Sequence, residues 1–160
     1  MLQEQEQRHV HYDRDLEIEA YQLSGIVQKF PNHFHDFYVI GFIEGGKRHL
    51  WCKNQEYDVS TGDLLLFNPR DNHCCGPLDG EPLDYRAVNI NPQVMERFVK
   101  EITGKDFKPY FTQNVVYRSE IARSVATLYD SILRHAARFE KEETMFFLLE
   151  QVLQEYASPF

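Results

Sequence analysis

Residues 33–46 read HFHDFYVIGFIEGG, two imidazoles one residue apart at the head of an apolar run that closes on a pair of glycines. Successive side chains of an extended chain point to opposite faces, so His33 and His35 share a side with Phe37, Val39 and Gly41. Asp36, Tyr38 and Ile40 take the other side. The run predicts a strand, and Glu44-Gly45-Gly46 predicts a tight turn into KRHLWC (47–52). Two imidazoles on one strand aim at the same point, which makes that point the first candidate site.

The segments on either side carry the same punctuation. YQLSGIV (21–27) is a strand, interrupted by Pro31-Asn32; KNQE (53–56) turns into YDVS (57–60), and Thr61-Gly62-Asp63 leads into LLLF (64–67). Asn68-Pro69-Arg70-Asp71 turns ahead of HCC (73–75), and YRAVNI (85–90) ends the series. About seven short strands at this spacing predict a sandwich or small barrel rather than a fold with alternating strands and helices.

Beyond Ile90 the apolar period lengthens. Asn91 is a capping residue, and Pro92 suits the first helical turn, where its missing N–H costs nothing. Val94, Met95, Phe98, Val99 and Ile102 share one face, and Gly104 supplies a left-handed stop. A second helix opens at Ser119-Glu120 and carries Ile121, Val125, Leu128 and Ile132. A third runs from about Glu142 to Tyr156 with Met145, Leu148, Leu149 and Val152, its stripe widened by Phe146, Phe147 and Leu153. RHAARFEKE (134–142) joins the last two as a helical hairpin. The stripes exceed one narrow seam, which predicts a subunit contact in addition to packing on the sheet. The residues assigned to that homodimer contact are Ile121, Val125, Leu128, Ile132, Leu149, Val152 and Leu153. KDFKPYFTQNVVY (105–117) reads as a connector with anchoring aromatics.

The expected organisation is an N-terminal arm over 1–20, whose first eight residues fray, a β-barrel over 21–90, and a helical unit over 91–160 packed on it within one domain. With 17 basic against 25 acidic residues the chain carries a formal charge of -8, which opposes a nucleic-acid groove on its own surface. Cys52, Cys74 and Cys75 make no disulfide framework, and no apolar run is long enough to span a bilayer; both favour a reducing, cytoplasmic setting. No serine sits in a nucleophile elbow, and no phosphate-cradling glycine loop precedes a helix.

His33, His35 and Asp36 with Phe37 and Tyr38, the Gly45-Gly46 turn, TGDLLLFNP (61–69), His73 and YRAVNINPQVM (85–95) occur in an order that resembles the sensing domain of AraC-type transcriptional regulators. The likeness covers about residues 18–157. The paired-histidine element is shared by the wider cupin superfamily, and the order of the later elements points to the regulators. The resemblance implies a mainly β, cupin-like double-stranded β-helix (a jelly-roll barrel) with a C-terminal helical hairpin. It implies a small organic effector inside the barrel, expected to contact some of His33, His35, Trp51 and His73; Trp51 lines the pocket or plugs one end of the barrel, and Tyr38 has the amphipathic reach for the rim. It implies a homodimer that reaches DNA only through helix-turn-helix units outside these residues, and no catalysis.

Three roles stay open for the histidines: lining a ligand pocket, holding a metal, or hydrogen bonding across strands. His33, His35 and His73 form a plausible three-imidazole set for a divalent transition metal, the alternative to a cofactor-free site. That alternative is a metal-dependent cupin enzyme, a dioxygenase or isomerase. Metal-binding cupins place a glutamate just beyond the second histidine, where this chain has Val39 and Ile40.

Overall fold

The alternation in β4 (Tyr38–Gly45) splits its side chains between two buried clusters, with Tyr38, Ile40 and Phe42 in one and Val39 and Ile43 in the other. The computed structural model describes residues 6–158. β4 lies inside a six-stranded antiparallel sheet, ordered β1 (Gln7–Asp13), β2 (Ile18–Ile26), β9 (Leu83–Ile90), β4, β7 (Leu64–Phe67) and β11 (Val115–Val116). A four-stranded sheet, β3 (Phe30–His33), β8 (His73–Pro77), β5 (Lys47–Cys52) and β6 (Gln55–Ser60), packs against one face of it. The other face is covered by α1 (Pro92–Thr103), α2 (Ile121–Leu133) and α3 (Arg138–Tyr156). Together they make a mainly β fold with a C-terminal helical region.

Local chemistry accounts for the helix ends. Asn91 is extended and its side chain accepts from the Gln93 N–H at 3.0 Å, Pro92 follows, and Gly104 ends α1 at φ +77°. Ser119 Oγ accepts from the Ile121 N–H and starts α2. α3 begins at Arg138 rather than near Glu142, because the connection closes within residues 134–137, with His135 at φ +55°.

Several expectations are corrected. The described part of the N-terminal arm is strand β1, paired with β2 from Gln7↔Ser24 to Asp13↔Ile18; residues 1–5 lie outside the described residues. Asp13 makes the turn by accepting the Leu16 N–H at 2.8 Å and the Glu17 N–H, and Leu16 and Ile18 anchor it in the core. An arm boundary at residue 20 therefore falls inside a strand. The 105–117 connector contains β11, which extends the large sheet, and β10 (Tyr110–Phe111), which pairs with β12 (Ala157–Ser158).

The seven helix residues assigned to a dimer contact are all buried within this single chain, none more than 5% exposed. They form the core between the helices and the sheet. The apolar side chains that α2, α3 and their link leave exposed are Leu133, Phe139 and Phe147. Among the described residues, no helix is long and apolar enough to cross a membrane.

Candidate functional site

The space between the two sheets is not filled by side chains. It is a cavity of about 360 Å³ whose wall is mostly apolar, with Glu19, His33, His35, Arg48, His73 and Asn89 among its polar groups. Phe37, Val39 and Ile43 from the β4 side, Leu65 and Phe67 from β7, and Tyr85 from β9 line its middle. Gly41 does not enlarge it for a ligand: a Cβ there would meet the Tyr85 hydroxyl at 2.2 Å, so the glycine makes room for that phenol.

At one end His33, His35 and His73 converge, each offering a ring nitrogen within 4.8 Å of the others. β3 ends at His33, so His35 sits in the bend before β4, not beside His33 on one strand. The departure has a physical cause: the β3–β8 register shifts between Phe30 and His33, and the Arg70 N–H binds the His35 carbonyl at 2.6 Å. His33 and His73 remain direct cross-strand partners, with ring centroids 4.3 Å apart.

The tautomers follow from the partners. His33 Nδ1 lies 2.7 Å from the Pro31 carbonyl, and His73 Nδ1 lies 3.0 Å from the Asp71 carbonyl. A carbonyl only accepts, so both Nδ1 atoms carry a proton, and in the neutral form of either ring Nε2 is the atom with the free lone pair. His73 is stacked on Phe67 at 3.9 Å, and burial pulls its pKa down to about 4. Burial, helped by the neighbouring His33, also lowers His35. Burial thus keeps His35 and His73 neutral, and the end of the cavity presents their imidazoles as acceptors or ligands beside His33.

The loop before His73 is the expected Asn68–Asp71 turn, held by a side-chain network that also draws in Asn114 from the connector. Asp71 Oδ2 accepts from the Asn68 N–H at 2.9 Å, from Asn68 Nδ2 at 3.1 Å and from Asn114 Nδ2 at 3.0 Å. Asn68 also brackets Phe111, accepting its N–H at 2.6 Å and donating to its carbonyl at 3.0 Å. This buried network fixes the carbonyl that orients His73.

Arg48 stands in the wall toward the opposite end. It is 1% exposed, donates to the carbonyls of Gln28 at 2.7 Å and Ile26 at 2.5 Å, and leaves Nε–H without a hydrogen-bond partner. In KRHLWC the parity that carries Leu50 and Cys52 inward also carries Arg48, which was the available signal for it.

Two expected contacts are corrected. Trp51 points outward from β5, 39% exposed and edge-on to His49, because its parity is opposite to that of Leu50. Tyr38 faces the helical side, where its hydroxyl donates to the Pro109 carbonyl at 2.6 Å and its ring meets Phe111. Neither lines the cavity. The three cysteines are free thiols.

The residues brought together fit a metal ion in donor chemistry: three imidazoles, two of them oriented through Nδ1. No carboxylate or thiol of the described residues joins that group.

Comparison with known proteins places these features. The family model of the AraC-like ligand binding domain matches residues 15–149. A curated relative from Bacillus subtilis (strain 168), the uncharacterized HTH-type transcriptional regulator YbfI, is 51% identical over 152 residues, which are 95% of this chain and 55% of the relative. The chain thus spans about half the length of the curated relative it matches. Among solved structures, the Schizosaccharomyces pombe Cnp3 cupin domain has a TM-score of 0.50 at 9% identity, covering 61% of this chain and 72% of that one, a likeness of fold alone.

Proposed function

The chain belongs to the AraC-like ligand-binding domain family, and from that premise we propose that a small organic effector occupies the cavity between the sheets against His33, His35 and His73. The observation that carries the reading is a hollow in a position where the opposite face of the same sheet is solidly packed, with three imidazoles in its wall. We read the two sheets as a cupin-like double-stranded β-helix, a jelly-roll barrel whose lumen is the binding site. In the full regulator, DNA contact belongs to a part outside these 160 residues, and the effector changes how two copies present that part.

The homodimer contact is assigned to the outward side of the helical hairpin, where Leu133, Phe139 and Phe147 are exposed. A route from cavity to helices is at hand. The β1–β2 hairpin contributes Val10, Tyr21 and Leu23 to the cavity wall, and Lys141 on α3 reaches Asp13 at 2.6 Å and Asp15 at 2.7 Å in its turn. An effector acts through that route only by binding one arrangement more tightly than the other.

The test is thermal shift against a metabolite panel, followed by calorimetry on hits. Binding is expected in the native chain and a loss of roughly tenfold or more on replacing His33 and His73 with alanine. A flat response across the panel, or full affinity after those replacements, sinks the reading.

The convergence of ring nitrogens within 4.8 Å favours a second reading, a divalent transition metal held by Nε2 of His33 and His73 and a nitrogen of His35. Such an ion would act as a Lewis acid toward an oxygen of the ligand. Stoichiometric metal in elemental analysis, lost with the same replacements, is the expected result of that reading; metal-free protein that still binds its ligand removes it.

A further inference from the structure

We propose that the cavity ligand is an acid, a small organic carboxylate with an apolar body, whose charged group is met by Arg48. The inference rests on the cavity reading above and names the chemistry of its ligand. Arginine stays protonated in proteins, and a buried ion is costly unless it is paired. Arg48 is 1% exposed and is in the cavity wall, yet it forms no salt bridge with any carboxylate of the described residues. Its surroundings are the carbonyls of Ile26 and Gln28, the face of Phe30 at 5.7 Å, and Cys75. The carbonyls use two of the five N–H donors and leave the net charge in place. Burial pushes the Cys75 thiol up, so it stays neutral and supplies no counter-charge.

Glu19, the one carboxylate among the lining residues, does not do so either. Glu19 pairs in register with Asn89 and accepts from its Nδ2 at 3.2 Å, whereas Arg48 is tied to Ile26, seven residues further along the same strand. At the rise of a strand that separation is roughly 20 Å. The two ends of the cavity thus differ in kind. On β5 and β8 the register sets Cys52 against His73 and Arg48 against Pro77, so Arg48 and the imidazoles are about four residues, roughly 13 Å, apart. Leu50, Val39, Ile43 and Leu65 line the wall between. A single guanidinium flanked by two carbonyl dipoles suits one negative charge better than two, which favours carboxylate over phosphate.

The test titrates the intact chain by calorimetry with pairs that differ only in charge: benzoate and benzamide, phenylacetate and phenylacetamide, hexanoate and hexanamide. At least one acid is expected to bind roughly tenfold more tightly than its amide. Arg48→Met should cancel that preference while leaving amide affinity within roughly twofold, and Arg48→Lys should restore part of it. Amides binding as well as acids, or acids indifferent to Arg48→Met, overturn the proposal and leave the cavity reading standing. If no member of either series binds, the carboxylate proposal falls, and the cavity reading stands or falls with the metabolite panel. Because Arg48→Met also frees two carbonyls, a second readout uses the unaltered chain: the Nε–H proton resonance of Arg48 should move downfield with phenylacetate and stay put with phenylacetamide. No movement with any acid overturns the proposal even if the variant fails to fold.

Discussion

The six-stranded sheet has two faces made by the same strands and put to opposite use. Toward the helices, Ile40, Leu66, Val88 and Ile90 are fully buried and join the helix residues in one continuous core. Toward the four-stranded sheet, Val39, Leu65 and Phe67 are nearly as buried, but they border a hollow that holds His73 and Arg48. One residue of parity therefore separates side chains that hold the fold from side chains that shape a ligand site.

Adjacent leucines on β7 give the widest test of that contrast. Leu66→Ala empties a close-packed position and is expected to cost about 3 kcal/mol, whereas Leu65→Ala enlarges an existing hollow and should cost about 1 kcal/mol. Urea denaturation of the two variants measures the difference. Equal losses would mean that the hollow side is packed as tightly as the helical side. The contrast should invert in binding, with Leu65→Ala altering ligand affinity and Leu66→Ala leaving it unchanged.

The link between the faces is expected to come next in size. Lys141 is 5% exposed, and its ammonium is held by Asp13 and Asp15, which raise its pKa against the downward pull of burial. Lys141→Met strips the buried Asp13 of its ion partner and should cost about 2 kcal/mol, somewhat less than a fully buried pair because Asp15 is partly exposed. The same variant should weaken the response of the helices to ligand, read as a smaller change in hydrogen exchange across α3. Unchanged exchange with full ligand affinity would show that the two faces communicate elsewhere.

A smaller effect separates the faces by filling rather than emptying. Leu65→Phe adds volume next to the hollow and should shift stability by less than about 1 kcal/mol, while Leu66→Phe overpacks the core and should cost about 2 kcal/mol. Loss of ligand binding in the first without loss of stability would fix the location of the site.

What could be read from the sequence follows the range of the interaction that decides each feature. Asn91, Pro92 and Gly104 bound α1 through contacts a few residues long, and strand parity in β4 needs only its neighbours. KRHLWC is equally legible by alternation, which sets Arg48 inward with Leu50 and Cys52 and Trp51 outward, whereas residue type alone suggests the reverse for tryptophan and arginine. The helical stripes were visible, yet a stripe does not say whether a sheet of the same chain or a second copy covers it. The sheet covers those seven residues because three helices share one broad apolar face. The bond between Asp71 and Asn114 spans 43 residues, so this part of the support under His73 leaves no local pattern in the sequence. Likewise His35 left its strand through a contact with Arg70, a partner set by the fold of a distant turn.

The smallest effect concerns the outward side of β5, back to back with Arg48. His49 lies 2.5 Å from Asp58 and 2.9 Å from Glu56 across the β5–β6 pair, and its hydrogen bonds to these carboxylates, Asp58 first, raise its pKa. A raised folded-state pKa contributes stability that is fully present below the unfolded value near 6.5 and is lost as pH rises through the folded value. Both carboxylates are mostly exposed, so solvent and salt screen the pair and the slope should be shallow. Urea midpoints taken between about pH 5 and about pH 9 should fall slightly more for the native chain than for His49→Gln. Ligand affinity should be the same in both proteins across that range, because His49 and the cavity lie on opposite sides of one strand. An affinity that followed His49 would place the binding site on the outer surface and end the distinction between a packed face and a hollow one.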